Sequence, residues 1–198
     1  MRRPALFVDK DGTLIDNVPY NVDPARIRFS VGAIDALQRL HARGFAVVVV
    51  SNQAGVAFGR IQERALFTVE ATLRDRLASA GVTLAAMYWC PHHPDGTVAT
   101  YRSQCDCRKP LAGMLWRAAR DHDLDLESSW MIGDILDDVE AGQRAGCRTV
   151  LLDNGHETEW QISRLRLPHF VVADMARAAD AILSANARAP TGDAVRLA

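Results

Sequence analysis

Short apolar runs alternate with amphipathic segments along most of the chain. Each run is continuous and bounded by polar residues or glycine, which is typical of strands that are buried on both faces of a sheet. For one run, residues 84–89, periodicity alone leaves a buried helix segment as an alternative. The predicted strands are residues 5–9, 45–50, 84–89, 129–133, 148–152 and 169–173.

Apolar residues at helical spacing occupy the intervals between the predicted strands. In two intervals the pattern ends shortly before a glycine, where a helix C-cap is expected. These two patterns are Val31, Ile34, Leu37 and Leu40 before Gly44, and Leu66, Val69, Leu73 and Leu77 before Gly81. Further helices are predicted at residues 111–121, 135–145 and 174–185. Strands that alternate with helices predict an α/β fold, a Rossmann-like doubly wound parallel sheet with helices on both faces.

Length and composition narrow the possible function classes. The chain has 198 residues, of which 48% are hydrophobic, so we expect one domain over residues 1–187 and a disordered tail over residues 188–198. The net charge of −1 provides no basic surface for nucleic acid or for an anionic membrane. No apolar run is long enough for a signal peptide or a bilayer span, which predicts a soluble, cytoplasmic protein.

Polar clusters follow four of the predicted strands. Because ligands of open parallel sheets bind beyond the carboxyl ends of the strands, we expect these clusters to meet at one site. On their own, the two aspartates of the first cluster would fit a strand-ending Asp-Gly turn equally well. The clusters are Asp9 with Asp11, SNQ at residues 51–53, CRKP at residues 107–110 after a long loop, and GDILDD at residues 133–138.

This set of side chains suits phosphoryl transfer. Two close aspartates and a third, Asp134, resist joint ionisation unless a cation lies between them, which implies Mg²⁺. One aspartate can attack phosphorus and form an aspartyl-phosphate, while another donates a proton to the leaving oxygen and then activates water. Ser51 and Asn52 can hydrogen-bond the phosphoryl oxygens, and Lys109 can neutralise the charge on them.

Three of the four cysteines fall within a short segment that also carries two histidines. The paired spacing predicts a closed zinc site formed by Cys90, His92, Cys105 and Cys107. Closed thiolate-rich sites are structural, so we expect the zinc to fold the loop over about residues 90–108 and to direct Arg108 and Lys109. Free thiols, or His93 as the histidine ligand, remain alternatives.

Four other residues are interpreted individually. Asp138 lies one helical turn after Asp134 and is a candidate to orient the metal site or Lys109, with a helix-dipole interaction as the alternative. Asp137 and Lys10 are expected to be solvated. Cys147, in an apolar segment, is expected to belong to the core.

The motifs VDKDGTL, SNQ, RKP and GDxxxD, in this order and spacing, resemble the haloacid dehalogenase-like phosphatases over residues 5–152. With its zinc loop, the chain resembles a subgroup of that family that lacks a cap domain. The resemblance implies that Asp9 is the nucleophile and that Asp11 is the general acid and base. It also implies Mg²⁺ ligands from Asp9, Asp134 and the main-chain carbonyl of Asp11, and phosphate contacts from Ser51, Asn52 and Lys109.

The zinc-loop subgroup contains heptose-bisphosphate phosphatases and histidinol-phosphate phosphatases. The twelve residues between His92 and Cys105 resemble the spacing of the first branch. The resemblance therefore implies an enzyme of heptose and lipopolysaccharide biosynthesis whose partner is a phosphorylated sugar. We expect the protein to be a monomer. The implied reaction is hydrolysis of the 7-phosphate of D-glycero-D-manno-heptose 1,7-bisphosphate.

Some positions that face the substrate keep other functions open. Arg108 is predicted to hold the second phosphate, with Arg60 and Arg102 as further candidates. Phe58 and residues 18–24 differ from the pattern of the heptose-bisphosphate branch, which leaves the exact sugar and anomer undetermined. The alternatives are a histidinol-phosphate phosphatase, another aspartyl-phosphate enzyme such as a mutase or dehalogenase, and an inactive zinc-stabilised binding module.

Overall fold

A six-stranded parallel sheet organises residues 2–187, the part of the chain that this computed structural model describes. Its strands are β1 (Arg3–Asp9), β2 (Ala46–Asn52), β3 (Leu84–Cys90), β4 (Leu124–Gly133), β5 (Arg148–Leu152) and β6 (Phe170–Val172). The strand order β3-β2-β1-β4-β5-β6 confirms the predicted doubly wound sheet. The winding changes direction between β1 and β4, and this switch point is where such sheets bind ligands. The predicted disordered tail lies outside the described residues.

Five α-helices cover the two faces of the sheet in the described part of the chain. They are α1 (Ala33–His41), α2 (Ala65–Ser79), α3 (Gly113–His122), α4 (Leu136–Ala145) and α5 (Met175–Ala187). Alternate residues of β1 point to opposite faces, as the strand geometry requires. Leu6 and Val8 pack in the core formed with α1, α2 and α5, whereas Ala5 and Phe7 pack in the core formed with α3 and α4.

The structure corrects two of the predicted elements. β4 begins at Leu124 rather than at residue 129, because Leu124 and Asp125 pair with Arg3 and Pro4 at the start of β1. The register of β1 and β4 then shifts, and Ser129 Oγ accepts a hydrogen bond from the Ala5 N–H at 2.8 Å. Val31 lies outside α1 and is 89% exposed, so it was wrongly assigned to the apolar face of that helix.

The connections near the carboxyl ends of the strands contain little regular structure. Between β1 and α1, residues 10–32 contain one short 3₁₀ turn, Pro24–Arg26, and isolated bridges, so no cap domain is inserted there. Residues 91–112, between β3 and α3, form the predicted loop insertion, with a second 3₁₀ turn at Ala99–Tyr101. No helix within residues 2–187 is long and apolar enough to cross a lipid bilayer.

Candidate active site

The ends of β1 and β4 bring three aspartates together beside the sheet. Asp9 is the last residue of β1, Asp134 directly follows β4, and Asp138 lies in the first turn of α4. One oxygen from each of the three lies within 4.8 Å of the others, and all three side chains are buried. We call these three residues the carboxylate cluster. Asp9 and Asp134 were predicted to meet here, and Asp138 joins them because it is one turn further along the chain.

Lys109 supplies a cation to the carboxylate cluster. Its Nζ lies 2.5 Å from Asp9 Oδ1 and 2.5 Å from Asp138 Oδ1, and the residue is only 2% exposed. Burial lowers the pKa of this ammonium, but the negative charges of Asp138 and Asp9 together raise it by more than burial lowers it. The net shift of the pKa is therefore upward. Lys109 is therefore held as a charged group between two carboxylates, and Asp138 orients it.

The carboxylate cluster keeps an excess of negative charge even with Lys109 in place. Burial raises the pKa of Asp9, Lys109 opposes this shift, and Asp138 and Asp11 add to it, so that the net pKa is about 7. Burial and the neighbouring Asp9 also raise the pKa of Asp134. A bound divalent cation would relieve this repulsion, and an all-oxygen donor set is what Mg²⁺ prefers. The residues present therefore fit Mg²⁺.

Two side chains that were not predicted to be site residues hold Asp134. Thr13 Oγ1 donates a hydrogen bond to Asp134 Oδ1 at 2.9 Å, and His156 Nδ1 lies 2.7 Å from Asp134 Oδ2. Gly12 has a φ of +87°, and a Cβ atom at this position would collide with both Asp134 and His156. His156 lies in the loop after β5, where a single histidine gives no spacing signal. Thr13 belongs to the VDKDGTL motif and could have been singled out from it.

Asp11 is held by two buried side chains to which no role in the site was assigned from the sequence. Lys10 Nζ donates to Asp11 Oδ1 at 2.8 Å, and Gln53 Nε2 donates to Asp11 Oδ2 at 2.8 Å. Gln53 Nε2 also lies 2.8 Å from Ser51 Oγ, which connects two of the predicted site residues. Lys10 is 1% exposed, so its prediction as a solvated residue is wrong.

The side chain of Asn52 holds the main chain of Lys109. Asn52 Oδ1 accepts a hydrogen bond from the Lys109 N–H at 3.0 Å, and Asn52 Nδ2 donates to the Lys109 carbonyl oxygen at 2.9 Å. This pair of bonds fixes the backbone from which the Lys109 side chain extends. A phosphate contact from Asn52 stays a prediction, since one N–H of its amide remains for it.

Asp137 differs from its prediction as a solvated residue. It is half-buried, and its Oδ1 lies 2.7 Å from Arg166 Nη2. The same guanidinium also pairs with Glu140 on α4. Asp137 thus belongs to a surface ion-pair network, while the neighbouring Asp138 points inward to Lys109.

The end of β3 and the loop after it bring the four predicted metal ligands into one group. The sulfur–sulfur distances are 2.9 Å for Cys90–Cys107, 3.3 Å for Cys105–Cys107 and 3.5 Å for Cys90–Cys105. His92 Nδ1 lies 3.4 Å from Cys107 Sγ and 3.8 Å from Cys90 Sγ. We call these four residues the thiol cluster.

The donor atoms of the thiol cluster fit a tetrahedral zinc ion. Zinc–sulfur bonds of about 2.3 Å imply sulfur–sulfur edges of about 3.8 Å, so the observed distances of 2.9–3.5 Å would lengthen when the ion is bound. The hydrogen bond that Cys107 donates to Cys90 and burial raise the pKa of the Cys107 thiol, so a cation is needed to hold the group as thiolates. His93 is turned away and packs against Phe58 with a centroid distance of 4.9 Å. Cys147 lies in the core, as predicted.

Two main-chain connections join the thiol cluster to the carboxylate end of the sheet. The Gln53 N–H donates to the Cys90 carbonyl oxygen at 2.8 Å, and Lys109 follows Cys107 by two residues. Arg108, between them, is half-buried, and its Nη1 lies 3.5 Å from the His92 carbonyl oxygen. Arg60 and Arg102 are exposed. A well-ordered loop around the thiol cluster therefore helps to fix the positions of Lys109 and Gln53.

Comparisons with known proteins agree with this geometry. The sequence model of the HAD-hydrolase-like family matches residues 106–178. The chain is 42% identical over 150 residues to the D-glycero-beta-D-manno-heptose-1,7-bisphosphate 7-phosphatase of Escherichia coli (strain K12), covering 75% of this chain and 78% of that protein. It is 36% identical to the protein of the same name from Salmonella typhi over 188 residues, covering 95% and 94% of the two chains.

One solved structure extends the comparison to three dimensions. The D,D-heptose 1,7-bisphosphate phosphatase from B. bronchiseptica, crystallised with magnesium and phosphate, superposes with a TM-score of 0.74 at 30% sequence identity. The match covers 92% of this chain and 99% of that one. Most of this chain and nearly all of that one therefore share the same fold.

Proposed function

Because the chain belongs to the haloacid dehalogenase-like hydrolase family, we propose that it is a Mg²⁺-dependent phosphatase that removes the 7-phosphate of D-glycero-D-manno-heptose 1,7-bisphosphate. One observation carries the reaction type above all others. A buried carboxylate, Asp9, ends the central strand at the switch point, and the ammonium of Lys109 lies 2.5 Å from one of its oxygens. The substrate is inferred from the names of the relatives that match most of the chain.

Asp9 is the nucleophile in this proposal. Its side chain is 10% exposed and is ionised when a cation offsets the surrounding charge, so one oxygen can attack phosphorus and form an aspartyl-phosphate. Asp11, two residues further on, keeps 28% of its side chain exposed and donates a proton to the leaving oxygen. In the second half of the reaction Asp11 accepts a proton from the water that hydrolyses the aspartyl-phosphate.

The other residues of the site neutralise charge and fix positions. Lys109 acts as a compact positive charge for the phosphoryl oxygens, held in place by Asp138 and by the Asn52 side chain. Ser51 is buried beside Gln53 and is proposed to contact the phosphate. Bound Mg²⁺, with Asp9, Asp134 and the Asp11 carbonyl as its protein ligands, would supply charge neutralisation at the transferring phosphoryl group.

We assign the thiol cluster a structural zinc without a catalytic role. All four positions of a tetrahedral ion are filled by Cys90, His92, Cys105 and Cys107, which leaves none for water or substrate. The loop they close has few apolar residues of its own, so metal binding supplies the free energy that orders it. Through this loop the zinc determines where Arg108 and Lys109 lie.

A second phosphate on the substrate needs a cation that does not serve the phosphoryl group being transferred. Arg108 directly precedes Lys109 and has a planar guanidinium suited to two-point binding of phosphate. We therefore assign Arg108 to the phosphate that stays on the sugar. This role predicts an effect on substrate affinity rather than on the chemical step.

A substrate panel tests the proposed function. We expect Mg²⁺-dependent hydrolysis of the heptose 1,7-bisphosphate with a higher kcat/KM than that of the 7-monophosphate or histidinol phosphate. Arg108→Ala should raise KM for the bisphosphate about tenfold, the loss expected for one charge-assisted contact, and leave the monophosphate nearly unchanged. Arg120→Ala, which removes an exposed arginine on α3, is the matched control.

Each part of the panel has an outcome that contradicts the assignment. A preference for histidinol phosphate would assign the chain to the other branch of the subgroup. Equal losses on every substrate in Arg108→Ala would place Arg108 at the reacting phosphate. Turnover that is unaffected by removal of Mg²⁺ would contradict the proposed reaction itself.

A further inference from the structure

Both carboxylate oxygens of Asp11 are held by side chains, one donor to each oxygen. Lys10 Nζ lies 2.8 Å from Oδ1, and Gln53 Nε2 lies 2.8 Å from Oδ2. The two donors come from different strands, since Lys10 directly follows β1 and Gln53 directly follows β2. A carboxyl group that is fixed at both oxygens cannot rotate freely about its Cβ–Cγ bond.

Both donors are themselves buried and anchored. Lys10 is 1% exposed and Gln53 is 6% exposed. The main-chain carbonyl of Lys10 accepts hydrogen bonds from the N–H groups of Leu14 and Ile15, which fixes the turn after β1. The Gln53 N–H is bonded to the Cys90 carbonyl oxygen. A buried ammonium is costly without a partner, and Asp11 is the partner of Lys10.

We propose that Lys10 and Gln53 are positioning residues that aim the carboxyl group of Asp11 at the oxygen of the leaving group. The inference rests on the proposed function, in which Asp11 is the general acid and base. General acid catalysis depends on the proton lying within hydrogen-bond reach of the leaving oxygen, so orientation of the carboxyl group determines its efficiency. Lys10 and Gln53 do not touch the substrate in this account.

The reaction steps show where orientation matters. In the first step the bond between an Asp9 oxygen and phosphorus forms, the bond from phosphorus to the leaving oxygen breaks, and the proton of Asp11 moves to that oxygen. In the second step a water oxygen bonds to phosphorus, the Asp9–phosphorus bond breaks, and a water proton moves to Asp11. A sugar alkoxide needs the first proton transfer, whereas p-nitrophenolate leaves as a stable anion without it.

The experiment therefore compares two leaving groups. kcat/KM includes only the steps up to departure of the leaving group, so it isolates the first proton transfer. We expect Lys10→Met to lower kcat/KM for a sugar phosphate at least about tenfold and to change that for p-nitrophenyl phosphate less than about threefold. Lys10→Arg, which keeps a cationic donor, should restore most of the loss on the sugar phosphate.

Gln53→Met provides an independent variant. It should show the same excess loss on the sugar phosphate, together with a smaller loss common to both substrates, because Gln53 also contacts Ser51. The controls are Arg74→Met and Gln38→Met, each of which removes a donor to a main-chain carbonyl outside the site. If Lys10→Met does not fold, Gln53→Met alone decides the question.

Equal losses on both substrates, or no loss on either, would overturn the positioning role. Failure of Lys10→Arg to recover activity on the sugar phosphate would contradict it for Lys10. A wild-type protein that hydrolyses neither substrate contradicts the proposed function, and that result is distinct from an active wild type whose variants show no dependence on the leaving group.

Discussion

The carboxylate cluster and the thiol cluster both gather potential metal ligands, but they draw them from different distances along the chain. Asp9 and Asp134 come from the ends of β1 and β4 and meet only because the sheet places those strands side by side. The ligands of the thiol cluster all lie within residues 90–107, at the end of β3 and in the loop that follows it. The first cluster is thus a product of the whole fold, and the second is a product of one segment.

The two clusters also differ in how their charge is balanced. Lys109 pairs with Asp9 and Asp138 of the carboxylate cluster, so the protein itself provides a cation that offsets part of the negative charge there. The thiol cluster contains three cysteines and one histidine and has no permanently charged cation among its members. We therefore expect the carboxylate cluster to persist without Mg²⁺, whereas the zinc loop depends on its metal for structure.

Removing the cation that pairs with the carboxylate cluster should strongly lower both activity and stability. Lys109→Met leaves two buried carboxylates without their partner, so we expect kcat/KM to fall by about 10²–10³ and the free energy of unfolding by about 3–5 kcal/mol. Lys109→Arg should recover little activity, because the Lys109 ammonium lies between two buried carboxylates at 2.5 Å from each, a position that a planar guanidinium does not fit. Steady-state kinetics and thermal unfolding are the measurements, with Arg74→Met as control. Near wild-type activity in either Lys109 variant would remove Lys109 from the site.

Breaking the thiol cluster should affect stability more than chemistry. We expect about one zinc per chain in protein purified without added zinc, and its loss in Cys105→Ser with a decrease in Tm of about 10 °C or more. Activity should fall about tenfold, because the loop no longer holds Lys109. Cys147→Ala, which changes a core cysteine outside the cluster, should retain the metal. Less than about half an equivalent of zinc in the wild type, with activity unaffected in Cys105→Ser, would exclude a zinc site.

His156 should influence the affinity of the carboxylate cluster for Mg²⁺. Its Nδ1 lies 2.7 Å from Asp134 Oδ2, and partners of this kind orient metal-binding carboxylates. We expect His156→Ala to raise the Mg²⁺ concentration for half-maximal activity about tenfold, with little change in the rate at saturating Mg²⁺. His41→Ala, at the end of α1, serves as the comparison. An unchanged Mg²⁺ requirement in His156→Ala would show that Asp134 is held without it.

The smallest predicted effect is a pH dependence of stability in the metal-free protein. Burial, which Lys109 offsets only in part, raises the pKa of Asp9 from 3.8 to about 7. The folded state therefore binds the proton of the Asp9 carboxyl group more tightly than the unfolded state does. The stability that Asp9 contributes is fully present below pH 3.8, the pKa in the unfolded state. It is lost as the pH rises through about 7, the pKa in the folded state. Asp9→Asn should therefore gain at least about 3 °C in Tm relative to the wild type between about pH 5 and pH 8.

A matched variant distinguishes this effect from a general response to pH. Asp137→Asn changes a half-buried aspartate that is paired with Arg166, and its Tm difference from the wild type should not rise over the same range. Mg²⁺ should remove part of the difference for Asp9, because the cation stabilises the ionised form. If the Tm difference between Asp9→Asn and the wild type stays constant with pH, the pKa of Asp9 is not raised in the folded state.

The differing origins of the two clusters explain what the sequence predicted. Continuous apolar runs identified all six strands, because strands buried on both faces have no polar alternation to obscure them. The first half of β4 was missed, since residues 124–128 (LDLES) do not form a continuous apolar run and only Leu124 and Asp125 of them pair with the start of β1. Val31 matched a helical repeat but precedes Gly32, whose φ of +76° separates it from α1.

The site shows the same limit at the level of single side chains. The rule that ligands bind beyond the carboxyl ends of parallel strands predicted that Asp9, Lys109 and Asp134 meet, because the sheet topology determines where these residues lie. The burial of Lys10 could not be predicted, since it depends on how one flexible side chain folds back onto Asp11. His156 gave no signal because its contact with Asp134 requires the path of the loop after β5.

The most direct test of the account is to identify the residue that carries the phosphoryl group during turnover. Protein that is acid-quenched during steady-state hydrolysis of the heptose bisphosphate with Mg²⁺ can be digested and its peptides analysed by mass spectrometry. The account predicts one phosphoryl group on the peptide that contains Asp9, its absence in Asp9→Asn, and a loss of turnover of about 10⁴-fold or more in that variant without unfolding. A phosphoryl group on another residue, or near wild-type turnover by Asp9→Asn, would contradict it.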